Sequence, residues 1–379
     1  MQKNMIRKHL PLYRPSAEEN LREALQASNS GSGPIFFNKV KNWFARNYTS
    51  DRAFLTHSCT GALELAGLLA GLEPDDEVIL PSYTFSSTAN AFLLRGCRLR
   101  FADCLPSRPN TDLEYILPLV NDRTKIIVAM HYAGIAVDMD PIMDFAAKHG
   151  LVVIEDAAQA VGARYKGRFL GTCSDMGTLS FHDTKMISCG EGGALLLNRA
   201  VLETRAEILF EKGTNRMSFQ RGEVARYEWL DLGSSFGMSD LQAALLYSQL
   251  EDLDVFLEKR LRLSAVYSEQ LSELVEAGMI RLMDVPDYAS HNGSEYYITL
   301  NEALNRPKLM HYLQDRRIET AAHFLALHNS PFFKNRDRQQ LRNASFFESN
   351  LLRLPMHAGL ERGDVLYVAE QIRNFFKQI

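Results

Sequence analysis

Between residues 50 and 200, short apolar runs bounded by turn residues alternate with stretches of helical composition. Glu77 to Leu80 is one such run, stopped by Pro81; Lys125 to Ala129 is a second and Leu151 to Ile154 a third. Continuous apolar character, rather than every second residue, predicts strands buried on both faces, as in a parallel sheet. Between them Ala62 to Ala70 and Pro141 to His149 predict helices, with Gly71 and Gly150 placed where a helix C-terminus turns. The alternation predicts an α/β fold with a mostly parallel sheet between helices. Ligands of such sheets lie beyond the carboxyl ends of the strands, so the residues that follow each run are the candidates for chemistry.

A longer helical pattern runs from Ser239 to about Leu274, with Leu241, Leu245, Leu250, Leu253 and Leu257 among its apolar positions. The domain boundary is expected inside it, giving a large domain over 1–255 and a small C-terminal α+β domain over 256–379. The small domain is predicted to hold a strand at Tyr296 to Leu300 and a helix around Pro307 to Arg316, and the N-terminal segment is free to pack on it. A chain of 379 residues is long enough for one large unit and one smaller one.

Composition, 46% hydrophobic and 23% charged, excludes a disordered or fibrous chain. A net charge of −4 offers no overall attraction to a nucleic-acid backbone or an anionic membrane. Lys3, Arg7, Lys8 and Arg14 gather near the start, but no apolar run follows to make a signal peptide, and no stretch is apolar enough to span a bilayer. Cys59, Cys97, Cys104, Cys173 and Cys189 are odd in number and lack paired spacing, which predicts free thiols in a reducing cytoplasm and no metal site.

Three segments carry the chemistry: Glu155-Asp156-Ala157-Ala158-Gln159 after a buried strand, Ser180-Phe181-His182-Asp183-Thr184-Lys185 downstream, and Gly190-Glu191-Gly192-Gly193 beyond it. An aspartate at the end of a buried strand is placed to face a cationic ring nitrogen, and a lysine 29 residues later can form a Schiff base with an aldehyde. Pyridoxal phosphate needs both, because its pyridine nitrogen must stay protonated for the ring to act as an electron sink. Each pKa unit by which a carboxylate favours that protonated form contributes about 1.4 kcal/mol. The glycines are expected to form a tight turn, and His182 to be a structural ring beside the lysine.

These segments, with Ser58-Cys59-Thr60-Gly61-Ala62-Leu63, Pro81-Ser82-Tyr83-Thr84-Phe85 and Thr88-Ala89-Asn90, resemble the DegT/StrS group of sugar-nucleotide aminotransferases within the type I pyridoxal-phosphate fold. The resemblance covers nearly the whole chain. It implies that Lys185 carries the cofactor, that Asp156 pairs with the pyridinium and that Gln159 bonds the cofactor's 3-hydroxyl. It further implies that Cys59 and Thr60 hold the phosphate at a helix start, that Ser180 adds a hydroxyl and that Phe85 stacks on the ring.

Relatives carry a polar side chain near Ser235 that reaches the neighbouring subunit's phosphate, so Ser235 is a cofactor candidate across a homodimer interface. The stretch His323 to His328 resembles a sugar-pocket segment, though Phe324 and Ala326 stand where the group has Tyr and Pro; His328 is the substrate-side candidate. The runs Glu211 to Arg216, Gly233 to Ser235 and Met238 to Ala244 resemble the branch that aminates C4 of dTDP-4-oxo-6-deoxyglucose. The implied reaction moves nitrogen from an amino acid, glutamate, to that nucleotide sugar in two stages. Amination at C3, a UDP-sugar or a cyclitol is the alternative, and a non-catalytic regulator on the same scaffold is a more distant one. A dehydratase of this fold would have histidine at the position of Lys185.

Overall fold

Each apolar run becomes a strand of one seven-stranded sheet in the computed structural model, which describes residues 5–11, 14–31, 33–48, 50, 52–333 and 340–378; Lys3 lies outside them. The strands in chain order are β1 (Ala53–Thr56), β2 (Glu77–Pro81), β3 (Arg98–Ala102), β4 (Thr124–Met130) and β5 (Val152–Asp156). A small hairpin of β6 (Arg164–Tyr165) and β7 (Arg168–Phe169) precedes β8 (Met176–Ser180) and β9 (Gly193–Leu197). The order across the sheet is β1-β9-β8-β5-β4-β2-β3, with β9 running against both neighbours and the other pairs parallel. The mostly parallel sheet is as expected.

Burial on both faces is visible along β4: Ile126 and Val128 pack into one apolar layer, Ile127 and Ala129 into the other. Successive side chains point to opposite faces, so a run of four apolar residues serves two helical layers at once. The predicted helices are Cys59–Leu69 and Met139–His149, and Gly150 closes the second in the left-handed conformation.

The long helical pattern is not one helix. It divides into Asp240–Leu250, Leu253–Gln270 and Ser272–Glu276. The first piece packs on helices Ser16–Ser30 and Phe36–Asn47 of the large layer, and the second on Arg362–Phe376. Two packing partners in different directions require a turn, made at Glu251 and Asp252, where Asp252 also pairs with Arg14 at 2.5 Å. The apolar spacing persists across that turn, which is why the sequence reads as continuous. Within Leu253–Gln270, Phe256 belongs to the large core and Leu263 to the C-terminal one.

The C-terminal core surrounds a three-stranded sheet of β10 (Ile280–Arg281), β12 (Tyr296–Leu300) and β13 (Leu351–Leu354), while β11 (Ala289–Ser290) pairs with β6. The predicted strand and the helix at Asn305–Asp315 are both present. The N-terminal segment joins this unit: Ile6 N–H donates to Arg317 O at 2.8 Å, Glu319 N–H to Ile6 O at 2.9 Å, and Ile6 is in its core. All five cysteines are free. Among the described residues no helix is long and apolar enough to cross a membrane.

Glu155 holds the sheet end in shape. Fully buried, it accepts from Gly171 N–H at 2.8 Å, Cys173 N–H at 2.7 Å and the Ser174 hydroxyl at 3.0 Å. His131 supplies a fourth contact at 3.0 Å through Nε2; its Nδ1 accepts from Val137 N–H, so the ring is neutral with the proton on Nε2. Removing the carboxylate leaves two backbone N–H groups buried without a partner. Glu155→Ala is therefore expected to lower unfolding free energy by about 3–5 kcal/mol in denaturant titration, and Glu155→Gln by less.

Candidate active site

A cleft of about 360 Å³ opens beyond the carboxyl ends of β5 and β8. Its floor is Asp156, the last residue of β5, which is 3% exposed. One carboxylate oxygen accepts from the Thr88 hydroxyl at 2.6 Å and the other from Ala158 N–H at 3.1 Å. Thr88 is held in turn by Thr84, hydroxyl to hydroxyl at 3.0 Å, in the first turn of helix Ser86–Leu93. No lysine, arginine or histidine among the described residues pairs with Asp156.

Lys185 stands in the loop joining β8 to β9. That loop is stapled shut by Phe181 N–H to Gly192 O at 2.8 Å and Asp183 N–H to Gly190 O at 2.8 Å. It is pinned from below by the Gln249 amide, which accepts from Ser188 N–H and donates to Ser188 O. Lys185 is half-buried, and burial holds its ammonium below the ordinary lysine value against the opposing pull of Cys59 and Asp156. A lysine with a depressed pKa has more of the neutral amine that attacks a carbonyl.

The phosphate end is the start of helix Cys59–Leu69. Ser58 caps it by accepting from Gly61 N–H at 3.0 Å, and the Thr60 hydroxyl donates to Ser87 Oγ at 2.8 Å. Cys59 and Thr60 line the cleft, where the helix dipole favours an anion. Gly193 is needed here for close approach rather than for a turn: a Cβ on it would lie 2.5 Å from Cys59 N and Ser58 C. The Cys59 thiol is pushed up to about 12 by burial and then by Asp156, so it stays protonated and unreactive.

Gln159 uses its amide oxygen to accept from Ala133 N–H at 2.6 Å, which leaves the amide NH₂ for a ligand oxygen in the cleft. Ser180 ends β8 and lines the same space. Phe85 is 58% exposed although aromatic, and borders the cleft 6.3 Å from the Phe324 ring. An aromatic face left open at a cleft wall is available to stack on a planar ligand.

The structure thus gathers Lys185, Asp156, Gln159, Ser180, Cys59, Thr60 and Phe85 around one space. Two candidates lie elsewhere. Ser235 is on an exposed segment, bridged to Glu211, and does not line this chain's cleft. His328 is buried between Ser82, 2.6 Å from its Nδ1, and Ser345, 3.2 Å from its Nε2; both nitrogens serve to tie segments together. Sequence reading did not single out Thr88 for its bond to Asp156, nor Lys8, His9 and Arg353 on a second wall; the other members of that wall, His323 and Phe324, open the stretch that resembles a sugar-pocket segment. His182 is at the rim, 2.8 Å from Asp183 and 3.3 Å from Glu191.

A buried carboxylate met only by neutral donors calls for a cationic group opposite it, and the helix start beyond it calls for an anion. A flat ring with a protonated nitrogen at one end and a phosphate at the other fits both demands, and Lys185 lies within reach of the same space.

Comparison with known proteins agrees. The model of the DegT/DnrJ/EryC1/StrS aminotransferase family matches residues 13–373. The chain is 32% identical to the spore coat polysaccharide biosynthesis protein SpsC of Bacillus subtilis, over 97% of this chain and 96% of SpsC. It is 30% identical to GDP-perosamine synthase of Escherichia coli O157:H7, over 97% of this chain and 99% of that enzyme. Among solved structures, the aminotransferase TlmJ of Streptoalloteichus hindustanus superposes with a TM-score of 0.90 at 27% identity, covering 99% of this chain and 100% of TlmJ. The chain belongs to the DegT/DnrJ/EryC1/StrS aminotransferase family, whose members are pyridoxal-phosphate-dependent enzymes acting on sugars.

Proposed function

We propose that this enzyme moves the amino group of glutamate to the keto carbon of a nucleotide-linked sugar, C4 of dTDP-4-oxo-6-deoxyglucose, as a cytoplasmic homodimer. The observation that carries the transfer reaction is the placement of Lys185 and the unpaired, buried Asp156 around one cleft. Pyridoxal phosphate, when bound, supplies an electron sink that stabilises negative charge developing on the substrate carbon. Asp156 would hold the proton on the ring nitrogen, and Thr88 and Ala158 fix the carboxylate's orientation so that little reorganisation is needed. Cys59, Thr60 and Ser180 would anchor the phosphate, Gln159 the ring oxygen and Phe85 the ring face.

Lys185 Nζ is the group suited to move protons. Burial favours its neutral form, which accepts one from the donor's α-carbon, and its conjugate acid delivers one to the carbon that gains nitrogen. Leu63, Phe85, Met130 and Phe324 give the cleft apolar surface that limits water around the reacting atoms.

The sugar assignment rests on the resemblance of Glu211 to Arg216, Gly233 to Ser235 and Met238 to Ala244 to the branch acting on the dTDP sugar. The first two of these runs flank an exposed loop, and the third leads into helix Asp240–Leu250. Asn215 donates to Arg226 O at 2.9 Å and accepts from Glu228 N–H at 2.8 Å, and a Cβ on Gly213 would strike Asp231 O. The loop carries Tyr227, Trp229, Leu230 and Leu232 outward with Ser235 beside them, and an apolar patch of this kind supports the dimer reading. Kinship with GDP-perosamine synthase favours a GDP-linked keto sugar as the second reading.

Incubation with glutamate and either keto sugar, followed by mass spectrometry, distinguishes the two: amination of the dTDP sugar and not the GDP sugar is expected, and the reverse would overturn the assignment. Asp156→Asn is expected to lower kcat by at least about a hundredfold, since two pKa units on the ring nitrogen correspond to that factor. Lys185 should also show its depressed pKa directly. The neutral, reactive form of such a group persists above its pKa and is lost as pH falls through it, so competitive amine labelling of the cofactor-free enzyme should give Lys185 a midpoint below that of the surface lysines.

A further inference from the structure

The N-terminal strap and the C-terminal unit each bring a cation to the cleft. Lys8 and Arg353 both line it. Arg353 is buried and its guanidinium is paired with the buried carboxylate of Glu295. Lys8 differs: its ammonium has no hydrogen-bond or carboxylate partner among the described residues. The imidazole of His323, beside both cations, is held down to about 2 by burial and then by Arg353, Lys185 and Lys8, so it adds no charge and does not neutralise any.

Lys8 is not on a loose tail. The segment Ile6 to His9 is bonded on three sides: Ile6 to Arg317 and Glu319, Lys8 N–H to the Glu319 carboxylate at 3.1 Å, and Met356 N–H to Lys8 O at 3.0 Å. His9 Nε2–H donates to Asp183 O at 2.7 Å, two residues from Lys185. The strap that carries Lys8 is therefore fixed to the small domain along its length and to the lysine loop at its end. A cation carried on a fixed backbone costs less entropy to use than one on a loose tail.

We propose that Lys8 recognises the distal carboxylate of a dicarboxylic amino donor and so sets the enzyme's preference for glutamate; this rests on the reading that the cleft takes nitrogen from an amino acid. The donor's α-carbon must reach Lys185 Nζ, which keeps the α-carboxylate, one bond away, on the Lys185 side. The distal carboxylate is two methylenes further out, roughly 4 Å along the chain. On the wall that the strap builds in the same cleft, Lys8 is the cation without a partner among the described residues. The diphosphate of a nucleotide sugar leaves from the ring carbon remote from C4, so it extends further from Lys185 than a glutamate side chain does.

A charge-assisted hydrogen bond of this kind corresponds to about ten- to a hundredfold in affinity. Lys8→Gln should raise KM for glutamate by that factor while kcat changes little, should leave KM for the monocarboxylic donor 2-aminobutyrate within twofold, and should not alter KM for the keto sugar; Lys8→Arg should restore much of the glutamate preference. Calorimetry on the holoenzyme gives a readout independent of turnover: glutarate, an unreactive dicarboxylate, should bind the wild type more tightly than butyrate does, and Lys8→Gln should remove that difference. An equal loss for both donors, or a loss confined to the nucleotide sugar, would overturn the proposal. A wild type that turns over no donor would instead reject the transfer reading itself.

Discussion

A carboxylate taken out of water without a cation beside it is costly, and this fold keeps one at the end of its central strand. Asp156 is buried, bonded to one hydroxyl and one backbone N–H, and open on its remaining side to a cleft. Its neighbour Glu155 shows the contrast. Pointing to the other face of β5, Glu155 has every lone pair engaged by Gly171, Cys173, Ser174 and His131. Two adjacent acids thus divide the work: the first fastens the sheet end, and the second is left with a demand that only a bound cationic group meets.

The surrounding structure serves that demand. Parallel strands bring Asp156 and Ser180 to the same edge, and the reversed strand β9 returns the chain so that Gly193 presses against the helix start at Ser58 and Cys59. The tight loop between β8 and β9 then delivers Lys185 over the same space. The opposite wall has a different origin: the N-terminal strap and the small domain close the cleft with Lys8, His9, His323 and Arg353. One wall addresses the cofactor, and the other faces whatever enters to react.

Much of the first wall was legible in the sequence because its parts are local. A buried run followed by Glu155-Asp156, a lysine within a short loop, and a capped helix start each leave a signature within a few residues. Of the second wall only His323 and Phe324 leave a trace, through the stretch that resembles a sugar pocket. Lys8 and Glu319 meet across three hundred residues of chain, and nothing in either neighbourhood announces the pairing. Thr88 was visible as part of a motif, but its bond to Asp156 depends on how helix Ser86–Leu93 crosses the sheet. His328 reads like a pocket residue by resemblance, yet its two ring nitrogens are spent on Ser82 and Ser345. The apolar spacing from Ser239 onward hides a turn for the same reason: periodicity records which face is buried, not against what.

Lys185 and Asp156 are placed to hold pyridoxal phosphate together, with its ring nitrogen protonated. Absorbance spectra of the wild type, Lys185→Ala and Asp156→Asn after addition of the cofactor test it most directly. A visible band from covalently held cofactor is expected in the wild type, its absence in Lys185→Ala, and a band altered in position or pH response in Asp156→Asn. The same band in all three proteins, or none in the wild type, would contradict it.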